Sequence, residues 1–375
     1  MERAEDAARP IWTPVWDVGV RLFHWLLLAG VVAALATGLL SRILWLRVHL
    51  IAGGLIALLL LWRAIWGVLG TRHARFADFA YPPRAVRAYL AARFAGKGQR
   101  FPGHNPLGAM MVFAMLTVLT VLVASGTIVL GGMLKQGPLA FALSYAAGRG
   151  VLGIHRLLGW TLLGMIGLHL AGVAEETWHG RENLIRAMIT GRKRAGAEMP
   201  PAAPPSHPGR ALVLFAALAL AGAGAVAGLA RLPGRGVPPA TPDPVFAEQC
   251  GACHFAYPPS LAPAGVWQAL MGDLAHHFSA DASMSPDLVA HIRAYLLANA
   301  AGHWDTLPSW RFRVRDPADP RRITATPYWR RRHAGIPASV FATPAVGGKG
   351  ACDSCHTDAA TGCFAPQNIH VPVPW

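Results

Sequence analysis

Two pentapeptides near the C-terminal end carry the most specific chemistry in the chain. Cys250-Gly-Ala-Cys253-His254 and Cys352-Asp-Ser-Cys355-His356 each set two thiols three positions apart, with an imidazole directly after the second. That is the attachment pattern of c-type haem: two thiols add to the two vinyl groups of one porphyrin, and the adjoining histidine is placed under the iron. A four-cysteine zinc site is the competing chemistry. Its cysteine pairs are ordinarily separated by about 15–20 residues, whereas 98 residues lie between Cys253 and Cys352 and each pair is followed by His. Two covalent haems c are therefore expected, with His254 and His356 as their own ligands. Cys363 is left over as a free thiol or a packed side chain. Each iron has a second axial position. His276, His277, His291, His303, His333 and His370, with Met271 and Met284, all stand in the same stretch. Spacing alone does not choose among them, although His277 lies 23 residues after His254 and His333 lies 23 before His356.

A second group of candidates sits in apolar surroundings. His24, His49, His155 and His169 fall inside strongly hydrophobic stretches, as does Arg63. Ionisable side chains at membrane depth are costly and mark functional sites. His155 and His169 are 14 residues apart, which on a helix is about 21 Å and close to four whole turns. They face nearly the same way at two depths. His49 matches the depth of His155, and His24 that of His169, so each pair draws one imidazole from the fourth stretch and one from another. This is how a helical bundle holds a cofactor between facing helices, and two bis-histidine haems b are expected. Gly53 and Gly159 each follow a histidine by four residues and would let a flat macrocycle approach. Arg63 lies 14 residues beyond His49, at the inner depth, where a haem propionate would pair with it. The alternative for Arg63 is snorkelling to headgroups.

The elements that must position these residues follow from hydropathy. Hydrophobic residues make up 53% of the 375 and charged residues 14%, against about a quarter charged in soluble domains, which excludes a wholly soluble chain. Five segments reach the ~20 residues that cross a bilayer: 20–40, 46–69, 107–134, 151–174 and 211–230. The net charge of +15 is unevenly placed. Residues 1–230 hold 22 basic against 9 acidic side chains, and residues 231–375 hold 12 against 10. The basic excess lies in two loops. One carries Arg72, Arg75, Arg84, Arg87, Arg93, Lys97 and Arg100; the other carries Arg181, Arg186, Arg192, Lys193, Arg194 and Arg210. That pattern speaks for membrane orientation and against nucleic acid. By the positive-inside rule the N-terminus is cytoplasmic, and five crossings put residues 231–375 outside, in the compartment where haem c is attached. The first segment lacks the cleavage site of a signal peptide and reads as an anchor. Asn105-Pro106 caps the third segment, with His104 beside that turn. Stretches 199–208 and 233–244, rich in Pro, read as linkers.

With these residues assembled, 12–195 resembles the prokaryotic cytochrome b561 family, which includes the b-type subunits of nickel–iron hydrogenases. The resemblance rests on Pro14-Val-Trp16-Asp-Val-Gly-Val-Arg21-Leu-Phe-His24-Trp25, Arg63-Ala-Ile-Trp66-Gly67, Gly103-His104-Asn105-Pro106-Leu107-Gly108 and 182–194. It implies a four-helix bundle with two b haems that exchanges electrons with quinone. Residues 245–375 resemble the small dihaem cytochromes c. The matching stretches are Cys250 to Pro259, His277-Phe278 with Asp281-Ala-Ser283, Ile323-Thr-Ala-Thr-Pro327 and Ala345-Val-Gly347. This second resemblance implies bis-histidine ligation and favours His277 and His333 as distal ligands, without saying which serves which haem.

The expectation is an all-α chain. Residues 1–198 form a transmembrane four-helix cytochrome b bundle, 199–244 hold the linkers and a fifth anchor helix, and 245–375 form a small, mostly helical or irregular periplasmic dihaem domain. The expected role is electron relay at the bacterial inner membrane, through two b and two c haems, between the quinone pool and a soluble periplasmic cytochrome or other redox protein. A homodimer or larger redox complex is compatible with it. Two further readings are an electron-transfer anchor for a periplasmic dehydrogenase or hydrogenase and a superoxide:quinone oxidoreductase. The tail arginines Arg311, Arg313, Arg315, Arg321, Arg322 and 330–332 are expected to neutralise haem propionates or to form a docking patch.

Overall fold

The computed structural model describes residues 12–40, 45–97, 101, 103–178, 182–194 and 207–373. Arg42, Arg100, Arg181 and most of the first linker, 199–206, lie outside the described residues.

Helices dominate. The chain starts with a three-residue strand β1 (Trp12–Pro14) and helix α1 (Val18–Leu35), which continues as a wider turn through Ala36–Leu40. There follow α2 (Leu46–Leu69), a short amphipathic α3 (Pro83–Phe94), α4 (Pro106–Met133) and α5 (Tyr145–Trp178). Next come α6 (Leu184–Thr190), β2 (Arg192–Arg194) and α7 (Pro208–Leu229). Among the described residues, five helices are long and apolar enough to cross a membrane, namely α1, α2, α4, α5 and α7. These are the five apolar segments of the sequence. Two features lie outside the all-helical expectation. β1 pairs antiparallel with β2, Trp12 opposite Arg194. α5 begins six residues before its apolar run, because Tyr145 is buried and its N–H is taken by Asp305 at 2.8 Å.

The chain divides into two compact units. The first holds Arg47–Gly126, Gly153–Ala225 and the described residues up to 40. Its centre is one buried side chain from each of four helices: Val31, Ile56, Leu119 and Leu162. Around it Leu22, Ile51, Leu157 and Leu220 turn outward and are exposed, the distribution a bundle takes when lipid is its solvent. Capping locks the basic end. Asp17 Oδ1 accepts from Val20 N at 2.8 Å to start α1, while Oδ2 accepts from Trp66 Nε1 at 3.0 Å and from Thr71 Oγ1. Asn105 Oδ1 accepts from Gly108 N at 2.7 Å and its Nδ2 donates to Glu176 Oε1 at 2.9 Å, tying the start of α4 to the end of α5. The start of α7 joins through Trp62, stacked on Trp66 and edge-on to Phe215.

The second unit holds Val226–Trp375 together with the α4–α5 connection, Thr127–Leu152. Short helices punctuate it: α8 (Pro244–Gly251), α9 (Ala264–Met271), α10 (Pro286–Ala298), α11 (Leu307–Arg311), α12 (Pro327–His333) and α13 (Ala338–Phe341). Thr or Asp caps start α8, α11 and α12, with Pro at the first position of α8 and α12 and at the second of α11, where the missing N–H costs nothing. Two small cores form. One gathers Phe246, Trp267, Met271, Ile292 and Leu296; the other gathers Leu261, Phe312 and Trp329. Lys135, 2% exposed, places Nζ 2.9 Å from Asp305 Oδ2 and 2.9 Å from Leu143 O. The Tyr145 ring stacks on Trp310 at 5.7 Å.

Candidate metal centres

Within the bundle, α2 and α5 bring His49 and His155 together, with ring centroids 6.2 Å apart and planes at 78°. Two imidazoles that share one iron, each with a metal–nitrogen bond of about 2 Å, have centroids roughly 6 Å apart. Each ring is oriented through Nδ1. For His49 the partners are Ala34 O at 3.1 Å and Thr37 Oγ1 at 3.2 Å. For His155 the partner is Ser125 Oγ at 3.0 Å, and Ser125 itself donates to Leu122 O. Holding Nδ1 leaves Nε2 for a metal.

Two glycines crowd these rings. A Cβ at Gly38 would stand 3.2 Å from His49 Cε1, and one at Gly126 would stand 3.2 Å from His155 Cε1. Gly53 and Gly159, the glycines expected from spacing, have no atom within 4 Å of a Cβ position, which leaves the room that a flat macrocycle needs. Gly38 and Gly126 escape a sequence reading because each lies on a different helix from the imidazole it accommodates.

At the inner level, His169 stands within electrostatic range of His24, and His24 Nδ1 is buried with no hydrogen-bond partner. Arg63 is 4% exposed. Its guanidinium lies 4.3 Å over the Phe76 ring and its Nη1 is buried without a hydrogen-bond partner. A guanidinium so enclosed is not reaching for headgroups, and an orphaned N–H suits an anionic group. His104 sits between Trp16 and Phe79 at 4.7 and 4.6 Å. Burial, with Arg63, Lys193 and His73 nearby, pushes its pKa down to about 3.

The second unit contains two further imidazole pairs. His254 and His277 have centroids 6.1 Å apart with planes at 16°. His333 and His356 are 6.2 Å apart with planes at 70°. The two intervals of 23 residues are thus the two pairings. Local chemistry explains each placement. α8 ends beside Cys250, and His254 Nδ1 bonds its neighbour's carbonyl, Phe255 O, at 2.8 Å. A tight turn with Phe278 at φ 58° closes from Ala280 N to His277 O at 3.1 Å. It turns His277 toward His254 and leaves Phe278 45% exposed. At the other pair, Thr326 and Pro327 start α12, so Trp329 and His333 fall one turn apart on one face. Their rings stack at 4.3 Å, and His333 Nδ1 bonds Trp329 O at 2.9 Å. His356 N donates to Cys352 O at 2.9 Å, and Phe364 lies 5.1 Å from the His356 ring.

The remaining candidates go elsewhere. His276 bonds Asp273 and His291 bonds Asp243, both at the surface. Met271 is buried in the first small core and Met284 packs against it. All five cysteines are free, and burial pushes Cys352 up to about 12. Cys363 is half-buried, and its thiol is raised by burial. Among the described residues no three His, Cys, Asp or Glu side chains gather as a metal cage requires. The donor sets are instead imidazole pairs with room for one iron between them, two of them beside a thiol pair. That fits porphyrin iron, whose ring supplies the other four ligands. Several tail arginines are already engaged. Arg322 pairs with Asp319, Arg330 with Asp316 and Arg321 with Asp273, while Arg313 and Arg315 donate to backbone carbonyls.

Comparison with known proteins agrees with this division. Residues 15–191 match the family model of prokaryotic cytochrome b561, and residues 246–364 match that of dihaem cytochrome c. Three solved structures are similar to the tail. The new dihaem cytochrome c of Shewanella baltica OS155 is 32% identical over 34% of this chain and 92% of its own, with a TM-score of 0.28. A dihaem protein purified from Rhodobacter sphaeroides is 36% identical over 33% and 98%, with a TM-score of 0.25. A dihaem cytochrome c from the same organism is 36% identical over 32% and 96%, with a TM-score of 0.29. No curated protein shows a significant match.

Proposed function

We propose, from a chain that belongs to the prokaryotic cytochromes b561 over residues 15–191 and to the dihaem cytochromes c over residues 246–364, that this membrane electron-transfer protein connects the quinone pool to a soluble redox partner. The three imidazole pairs with centroids 6.1–6.2 Å apart carry the reading. Haem, when bound, supplies one-electron chemistry at iron. The residues supply the rest. His49 with His155, and His24 with His169, hold two haems b without covalent help. Ala34 O, Thr37 and Ser125 keep the outer imidazoles in one tautomer and plane. Arg63 neutralises a propionate at the inner level.

Cys250 and Cys253 tether one haem c, held by His254 and His277. Cys352 and Cys355 tether the other, held by His356 and His333. Paired imidazoles would leave no place at the iron for small molecules, which suits a relay and opposes an oxidase. The basic loops put the N-terminus in the cytoplasm and the dihaem domain in the periplasm of an inner membrane. Electrons then run between quinol in the bilayer and a periplasmic cytochrome or comparable carrier.

The test uses the full chain in membranes with a short-chain quinol. Reduction of the c-type absorbance by quinol is expected, and His49→Ala should abolish it while leaving reduction by dithionite intact. Undiminished quinol reduction in that variant would overturn the route.

A further inference from the structure

The two sites in the tail are built alike in sequence and differently in orientation. Both pairs have the same separation, yet the imidazole planes meet at 16° in one and at 70° in the other. The cause lies in the neighbours. His333 is clamped by Trp329, whose indole stacks on it at 4.3 Å with only 17° between planes. That indole is 9% exposed and packs with Leu261 and Phe312, so it cannot turn with the ring it holds. The Nδ1 bond to Trp329 O fixes the same plane from the other side. His356 is set across it, against Phe364. Among the described residues no stacked indole holds the other pair. His254 meets Tyr257 at 46°, and His277 meets Phe278 edge-on.

Ring plane matters to iron. An imidazole donates π density into the iron d orbital that lies perpendicular to its ring. Two parallel rings raise the same orbital, split the upper pair and stabilise the ferric state. Two crossed rings raise one orbital each and leave the pair nearly degenerate, with less stabilisation of the ferric state. The first arrangement gives a rhombic low-spin ferric resonance. The second gives a strongly anisotropic one with a single large g value. We propose that Trp329 is a positioning residue that makes the two c-type sites electronically unequal: it holds His333 across His356, giving that site the strongly anisotropic ferric state and the higher reduction potential, while the His254–His277 site is rhombic and lower. The proposal rests on the haem assignment above and concerns this chain's own residues.

The experiment is electron paramagnetic resonance of the oxidised full-length chain, with a redox titration followed in the c-type absorbance. The His49→Ala background removes the outer membrane pair, whose planes also cross, at 78°. In that background one rhombic and one large-g c-type signal are expected, with the large-g species reduced first. Trp329→Leu should lose the large-g c-type signal and lower the upper potential, and Trp329→Phe, which keeps a stacked ring, should retain both. Two rhombic c-type signals without the Trp329 change, or a large-g signal that titrates with the c-type absorbance and is untouched by Trp329→Leu, would overturn the proposal. Should Trp329→Leu fail to fold, the signals of the parent background still decide. A chain carrying other than two covalent haems would instead sink the haem assignment itself.

Discussion

The bundle and the tail bring imidazoles face to face by opposite means, and in the proposed account each pair would hold one iron. In the bundle His49 and His155 come from separate helices and are 106 positions apart. What keeps them facing is a backbone carbonyl and two hydroxyls, from Ala34, Thr37 and Ser125. In the tail each ligand pair is 23 positions apart, and thiols stand beside one member. The difference teaches where fragility lies. A site held only by coordination and hydrogen bonds depends on every neighbour, whereas a tethered site keeps its cofactor when a ligand fails.

That contrast can be broken most sharply at the ligands. His155→Ala should lose its b haem outright, halving the b content. His277→Ala should keep both c haems attached and convert one to a high-spin spectrum. Pyridine haemochrome assays read the haem content of both variants, the native absorption spectrum reads the spin state, and equal losses would erase the distinction.

The next largest effect concerns Asp305. In the Lys135–Asp305 pair the lysine side chain is buried and the carboxylate a quarter exposed, so Asp305→Asn, which leaves the ammonium without its anion, should cost less than the ~3 kcal/mol of a fully buried pair, lower the melting temperature of the c-type unit, followed by c-type circular dichroism, and leave the b-type spectrum unchanged. Burial alone would raise Asp305, but hydrogen bonds from Lys135 Nζ and Tyr145 N outweigh it and hold the carboxyl below the ordinary aspartate range. Because the folded value is depressed, this stabilisation is complete above the unfolded aspartate pKa and is lost as pH falls through the folded one. Thermal melts below about pH 4 should therefore show the tail unit weakening as Asp305 protonates, with a shallower loss in Asp305→Asn, where the other tail aspartates still titrate.

Ser125→Ala should weaken haem b affinity by about 10–100-fold, the usual cost of an outer-shell partner, measured by haem retention on dilution in detergent. The smallest change is expected from Asn105→Ala. It removes a helix cap worth about 1 kcal/mol and should lower the melting of the b-type spectrum slightly.

Much of this was legible in the residues, for identifiable reasons. The thiol–imidazole motifs are local and announce themselves. The five spans follow from hydropathy, and the depths of His24, His49, His155 and His169 follow from helix rise. What could not be read depends on contacts between distant segments. Gly38 and Gly126 matter because another helix's imidazole presses on them. α5 starts early because Asp305 accepts the Tyr145 N–H across 160 positions. That His277 and His333, and not His276 and His291, face His254 and His356 depends on a turn with positive φ at Phe278 and on a stacked tryptophan. Neither leaves a periodic trace. Arg63 is the intermediate case: its depth was readable, but its enclosure by Phe76 and Phe79 was not.

The most direct test of the central claim, iron porphyrin between every one of these imidazole pairs, is haem stoichiometry on the purified full-length chain. Acid–acetone extraction followed by the pyridine haemochrome spectrum separates extractable from tethered haem. The account predicts two of each per chain. A chain with tethered haem alone, or with none extractable from the bundle, would contradict it.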